Sequence, residues 1–263
     1  MTVYRNAQGF SLGVASANVA AGGPITTFTG TTQVPVLLED LIISSGLATG
    51  GLVTSLRVAG QEIFASNLPC PVAAFNAASQ VEQYRSVSLT LDQQQTFAMD
   101  INNTSGLAGT FQFSVATTPI TQREVVPTSQ SGDALNYCFG FGESLAIPAA
   151  PAVGSTVTLT ATALRPCILG RLVITQDGAV GAGGNLAGVE VTSILVNNIE
   201  LLSGAAGPGG NVPAEAFGVL STDTNGAQLA YPVELNSNVS ITIVNNSAVA
   251  VGVGAMCFCL PAV

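Results

Sequence analysis

Two glutamates, Glu62 and Glu200, sit in matching contexts: Val53-Thr54-Ser55-Leu56-Arg57-Val58 precedes the first and Val191-Thr192-Ser193-Ile194-Leu195-Val196 the second. A carboxylate pair can serve as acid and base in sugar hydrolysis, provided both flank one bond. Matching positions on two separate folded units would lie far apart, so the expectation is two solvent-facing or salt-bridged copies of one position. Asp177-Gly178 and Asp223-Thr224-Asn225-Gly226 offer oxygen ligands of the kind calcium takes. The same residues make turns, because Asp and Asn bond their own backbone and Gly accepts positive φ, and turns are the expectation here. Gly207-Pro208-Gly209-Gly210 and the Gly-rich 178–188 stretch resemble phosphate cradles in glycine content alone. With no following Lys and no strand-to-helix setting, they are expected to be flexible loops.

What the chain lacks narrows its chemistry further. Among its 263 residues there is no His and no Trp, and all six basic residues are Arg: Arg5, Arg57, Arg85, Arg123, Arg165 and Arg171. Triads and zinc sites built on His, Walker-type phosphate loops and Schiff-base catalysis therefore lose a required side chain. Fifteen acidic residues set the net charge at -9. A face that binds nucleic acid needs clustered positive charge, so no direct nucleic-acid contact is expected. Arg165 and Arg171 are candidates for pairing with acidic groups on a neighbouring subunit, with a solvated role as the other reading. No residue is assigned a catalytic, cofactor-binding or metal-binding role, and the chain is not expected to be an enzyme.

The five cysteines, Cys70, Cys138, Cys167, Cys257 and Cys259, form no C-x-x-C pair, and Cys257 and Cys259 would share one face of a strand. Free Cys packs as a small apolar group, and buried thiols in a reducing compartment are the expectation. The sequons at Asn102, Asn103, Asn238 and Asn245 matter only in a secretory pathway, of which there is no sign. Residues 6–38 are uncharged, but Gly9, Gly13, Asn18, Gly22, Gly23 and Pro24 interrupt any apolar signal-like run. Residues 248–263, broken by Gly252, Gly254 and Pro261, are short of the roughly 20 a spanning helix needs and read as a strand.

The elements that must position these residues are strands. Apolar alternation of period two, bounded by Gly, Asn, Pro and Ser clusters, predicts strands near 10–14, 24–28, 38–44, 52–58, 61–66, 86–91, 96–101 and 110–116. A second set of eight falls near 137–141, 156–161, 167–175, 190–196, 199–203, 231–235, 239–244 and 249–257. Phe139 and Phe141 alternate in strand period and are expected in the core.

The two sets correspond in order. Leu41-Ile42-Ile43-Ser44 matches Leu172-Val173-Ile174-Thr175; Glu62-Ile63 matches Glu200-Leu201; Pro71-Val72-Ala73-Ala74-Phe75 matches Pro213-Ala214-Glu215-Ala216-Phe217; and Ile101-Asn102-Asn103-Thr104 matches Val244-Asn245-Asn246-Ser247. The offsets are 131, 138, 142 and 143, which predicts tandem duplication with longer connections in the second copy. The expected units are residues 1–120 and 134–263, joined by a linker at 121–133 where Pro127 and Ser129 break the alternation. Long connections follow the third and fifth strands of each copy, and the Pro-x-x-Ala-Phe element predicts one short helix after each fifth strand. An all-β chain of two eight-stranded sandwiches follows; spacing leaves jelly-roll and other sandwich topologies open.

Two tandem eight-strand copies, long loops after the third and fifth strands, and a helix after the fifth together resemble the double-jelly-roll major capsid proteins of tailless, internal-membrane-containing bacteriophages and the adenovirus-like capsid lineage. The resemblance covers nearly the whole chain and is one of architecture. It implies tandem jelly rolls, self-association as a homotrimer whose six barrels mimic a hexamer, and an icosahedral shell assembled in the host cytoplasm. It also implies neighbouring capsomers as partners, with vertex proteins and an internal lipid membrane as further candidates, and no cofactor.

Composition fits a virion subunit physically. Charged residues are 8% of the chain, against about 25% in an ordinary soluble protein, and sparse charge suits surfaces covered by other copies. A carbohydrate-binding tandem sandwich or viral spike is the alternative, although four Tyr and no Trp offer few rings to stack on sugar. A two-domain cupin-type enzyme would need metal-binding His, and there is none.

Overall fold

The fold is taken from a computed structural model that describes residues 15–19, 22–32, 35–45, 50–75, 89–104, 107–119, 137–148, 155–176, 186–202, 211–218 and 228–262. The first half contributes β1 (Ala15–Val19), β2 (Thr26–Thr31), β3 (Val36–Ser45), β4 (Leu52–Val58), β5 (Gln61–Glu62), β6 (Cys70–Pro71), β7 (Leu89–Leu91), β8 (Thr96–Asn102) and β9 (Gly109–Pro119). The second contributes β10 (Tyr137–Ile147), β11 (Thr156–Thr162), β12 (Cys167–Gln176), β13 (Val189–Val196), β14 (Ile199–Glu200), β15 (Val212–Pro213), β16 (Gln228–Val233), β17 (Asn238–Asn245) and β18 (Val251–Pro261).

These strands form four antiparallel sheets, in the orders β1-β9-β3-β7, β2-β8-β4-β5, β10-β18-β12-β16 and β11-β17-β13-β14; β6 pairs with β4 and β15 with β13. Counted from the start of each half, the order is the same twice: first, ninth, third, seventh in one sheet and second, eighth, fourth, fifth in the other. The chain is all-β, and the sheet arrangement is that of β-sandwiches.

Local sequence explains why each strand presents one face inward. Phe97, Met99 and Ile101 alternate along β8, and Val239, Ile241 and Ile243 along β17; all six are buried. In β4 and β13 the apolar spacing slips by one, from Val53 to Leu56 and from Val191 to Ile194. A bulge between Val53 and Ser55, and its counterpart between Val191 and Ser193, absorbs the extra residue and keeps both apolar sets facing the core.

Register ties the halves together more tightly than the strand order. Phe28 lies opposite Met99 and Leu159 opposite Ile241; Ile43 lies opposite Phe113 and Ile174 opposite Ala255; Val36 lies opposite Leu91 and Cys167 opposite Val233. Each pair recurs with a shift of 131 on one strand and 142 on the other. Val53 opposite Ile101 recurs as Val191 opposite Ile243, a shift of 138 and 142. The expected offset of 143 for the Asn-Asn segment is therefore corrected to 142, and Asn103 is the counterpart of Asn245. A one-residue slip in a strand would turn every side chain to the other face, so the ladder decides where letter similarity misleads.

Other expectations move as well. The strand expected at 10–14 falls outside the described residues, and the first described strand is Ala15–Val19. The strand expected over 61–66 ends at Glu62, and the one expected near 86–91 is described only over Leu89–Leu91. At each Pro-x-x-Ala-Phe element, where one short helix is expected, the described residues form a four-residue 3-10 turn, Val72–Phe75 and Ala214–Phe217.

Candidate functional site

Glu62 and Glu200 belong to different halves, and each is consumed by its own hairpin. Glu62 accepts the Ser55 hydroxyl (2.6 Å) and the backbone N–H groups of Leu56 (3.0 Å) and Phe64 (3.3 Å). Glu200 accepts the Ser193 hydroxyl and the N–H groups of Ile194 (2.9 Å) and Leu202 (2.9 Å). Each carboxylate thus closes the two-residue turn after β4 or β13 and is neither salt-bridged nor free among the described contacts. Partial burial pushes the Glu200 carboxyl up, but the Ser193 hydroxyl and the N–H groups of Ile194, Leu202 and Leu201 outweigh it and hold the group below its ordinary value. These bonds make each a hairpin clasp, not half of an acid–base pair.

The remaining candidates separate in the same way. Asp177-Gly178, Asp223-Thr224-Asn225-Gly226 and Gly207-Pro208-Gly209-Gly210 lie outside the described residues, as do Arg5, Arg85 and Arg123. Phe139 and Phe141 are buried in the second core with ring centroids 5.2 Å apart. Arg165 stacks on Tyr137, its guanidinium 4.6 Å from the ring centroid. Arg171 is 1% exposed, which corrects the solvated reading. Arg57 pairs with Asp100 at 3.2 Å on the surface of the first.

Two of the sequon asparagines are structural. The Asn103 amide donates to the Leu107 carbonyl (2.9 Å), and the Asn245 amide to those of Ile147 (3.0 Å), Pro148 (3.1 Å) and Val249 (2.8 Å). Both are fully buried, so neither can carry a glycan without unfolding its loop. Among the described residues no group of three or more His, Cys, Asp or Glu is arranged to hold a metal ion.

The site that sequence reasoning missed is the junction between the halves. After β5 the chain leaves its sheet and runs along the second half. Ala65 N–H donates to Cys138 O (2.8 Å), Cys138 N–H to Ile63 O (3.0 Å), Gly142 N–H to Pro69 O (3.1 Å), Asn67 N–H to Thr162 O (3.1 Å) and Leu164 N–H to Ala65 O (2.7 Å). The buried Ser66 hydroxyl donates to Gly140 O (2.8 Å), and the Asn67 side chain accepts from Thr162 N–H (2.8 Å). A Cβ on Gly140 would lie 2.2 Å from Pro69 O, so only glycine permits this approach.

Apolar packing seals the junction. Cys138, Val173, Met256 and Phe258 of the second half join the first half's core, and Phe75 meets Phe258 edge-on with centroids 6.4 Å apart. Val251 to Cys259 of β18 are buried without interruption, because one face lines the second core and the other meets the first half. That continuous apolar run is the one sequence signal that could have exposed the junction.

All five thiols are free and buried, Cys70 and Cys138 in the core shared across the seam and Cys167, Cys257 and Cys259 in the second core. Burial, with the neighbouring Cys138 thiol, pushes Cys70 up; burial also pushes Cys259 up; a hydrogen bond with Cys259, reinforced by burial, does the same to Cys167. Thiols held protonated this way are packing groups, not nucleophiles.

The arrangement can bind one folded unit against another; no paired nucleophile and base is assembled among the described residues. No family model matches the chain, and no curated protein does. A solved structure titled "Crystal Structure of the STIV MCP" is similar over 95% of this chain and 97% of that one, at 10% identity and a TM-score of 0.38. A likeness of that strength carries nothing about what this chain does.

Proposed function

We propose that the chain is a structural virion protein: a major capsid subunit of two tandem jelly rolls, arisen by duplication, that associates as a homotrimer and tiles an icosahedral shell. The observation that carries this reading is the pair of identical sheet orders, β1-β9-β3-β7 with β2-β8-β4-β5 and β10-β18-β12-β16 with β11-β17-β13-β14. Strands running first, ninth, third, seventh against second, eighth, fourth, fifth follow a jelly-roll path when the two short fifth and sixth strands are counted as one. The repeated register and the matching Glu62 and Glu200 clasps support one ancestral unit over convergence. The two halves are 1–120 and 134–263 with 121–133 as linker. Two similar units side by side give three chains six comparable barrels, the geometry a threefold object needs to fill a near-sixfold place in a lattice.

Native mass spectrometry of the purified chain with electron microscopy of its source particles tests this. A trimer, and particles coated by it, are expected. A stable monomer that forms no coat and binds sugars on a glycan array overturns the reading in favour of a carbohydrate-binding module.

A further inference from the structure

β11 is the outer strand of the sheet β11-β17-β13-β14, and hydrogen bonds at both its ends fix which way its backbone points. Asn245 N–H donates to Ser155 O (2.7 Å), so the pairs at 155, 157, 159 and 161 are the ones bonded to β17. Asn238, opposite Thr162, turns away from β11: its N–H donates to the Asn197 side chain (3.1 Å) and its carbonyl accepts from Asn197 N–H (2.9 Å). Thr162 turns away from β17, donating to the Asn67 side chain (2.8 Å) and accepting from Asn67 N–H (3.1 Å). Antiparallel ladders alternate bonded and non-bonded pairs. The backbone groups of Thr156, Thr158 and Thr160 therefore face outward; all three residues are exposed, and no described strand pairs with them.

Open edges are ordinarily guarded by a charge, a proline or a bulge. β11 has none of these: Thr-Val-Thr-Leu-Thr-Ala-Thr is uncharged, as is β17, and the register between them runs without a shift. Its counterpart β2 differs, because Asp100 on the paired strand takes the Thr27 hydroxyl (2.7 Å) and the Arg57 guanidinium (3.2 Å) beside that edge. The chain itself already adds to the β11 edge at one end. Residues 65–67 lie antiparallel to 162–164, with Ser66 opposite Ala163, and then leave toward Gly140.

We infer that the edge of β11 from Thr156 to Thr160 is a strand-addition site for an extended, uncharged segment of another polypeptide, antiparallel to β11 and starting where residues 65–67 leave it. The faces define the class. Residues opposite Thr156, Thr158 and Thr160 bond the edge and set their side chains beside the threonine hydroxyls. Alternate residues lie beside half-buried Val157 and buried Leu159, where the second core ends. Small polar residues alternating with apolar ones fit, and Pro does not. A second copy fits less well, since a whole sheet brought edge-on meets the first half at Asn67 and a single strand does not. The site needs no part of the capsid reading.

The test titrates the full-length chain with a capped, fluorescently labelled peptide of alternating Val and Thr. Peptide is expected to slow amide exchange at Thr156, Thr158 and Thr160 and to leave Val157 and Leu159, already bonded to β17, as they were. N-methylation of the peptide's Thr residues removes the donors that face the edge and is expected to weaken binding by at least about tenfold. N-methylation of its Val residues, whose N–H groups point away, is expected to leave binding nearly unchanged. Thr158→Pro removes one outward N–H without touching the β17 ladder, and is expected to weaken binding while the thermal midpoint holds. Exchange at the three amides unaltered up to the solubility limit of the peptide, or two methylated peptides that bind alike, overturns the site. Protection of the same amides on concentrating the chain alone overturns the peptide occupant in favour of a second copy.

Discussion

Glu200 shows how one side chain can be structural while carrying the chemistry of a catalyst. Its carboxylate accepts three bonds from a four-residue stretch on either side of a tight turn, where Asn197 and Asn198 take positive φ of 48° and 69°. N–H groups on both arms of the turn, those of Ile194 and Leu202, find an acceptor in it, and an ionised carboxylate is the strongest available. The linkage sign follows from the lowered value. The folded chain favours the ionised form, so the stabilisation is complete above the ordinary carboxylate value of 4.5 and is lost as pH falls through the lower folded value. Urea melts of wild type and Glu200→Gln between pH 7 and pH 3 check it. Because Glu200 is exposed and solvent screens its charge, the wild-type advantage is expected to be about 0.5–1 kcal/mol near neutrality and to shrink below pH 4.5. A constant difference across that range removes the charge from the account.

At the scale of elements, β10 carries the tightest glycine among the described residues. Gly140 faces the Leu68 and Pro69 carbonyls, backbone atoms that no rotamer change can move aside. Gly140→Ala is expected to cost about 1–3 kcal/mol, the usual penalty of overpacking, read as a lower urea midpoint. Accelerated hydrogen exchange should be centred on Ala65 and Cys138. Exchange unchanged at those amides would mean the junction is looser than its geometry. The same strand shows what was legible in the sequence. Phe139 and Phe141 announce an inward face by their spacing, and β8 lies within one residue of the bounds its alternation predicts, because one buried face imposes period two. The outward face of β10 is invisible to that reasoning, since Cys138 and Gly140 look like any edge residues until a second body covers them. The Pro71–Phe75 element, whose Ala-rich composition predicts one short helix, is described as a single 3-10 turn packed between β3 and β12. At 101–104 the letters favoured a match one residue away from the one that buried Asn103 and Asn245 in equivalent places.

The molecule as a whole is bound across its seam by backbone hydrogen bonds and by a shared core, so its halves are not two beads on a string. Separating them would expose Ile63, Phe64, Cys70 and Phe75 on one side and Cys138, Met256 and Phe258 on the other, all at 0–4% exposure in the joined chain. Each large apolar side chain left in water costs about 1.5–3 kcal/mol, and the seam holds several, so the total is comparable with the whole stability of an ordinary domain, about 5–15 kcal/mol. Residues 1–120 or 134–263 expressed alone are therefore expected to aggregate. Co-expressed as separate pieces, they are expected to copurify as a one-to-one complex, since the contacts that join them do not depend on the residues between. The complex should melt in a single transition at a midpoint below that of the intact chain, because joining two pieces adds the entropic cost of association. Two independent transitions, or soluble halves that ignore one another, would mean that the seam contributes little to the stability of the chain.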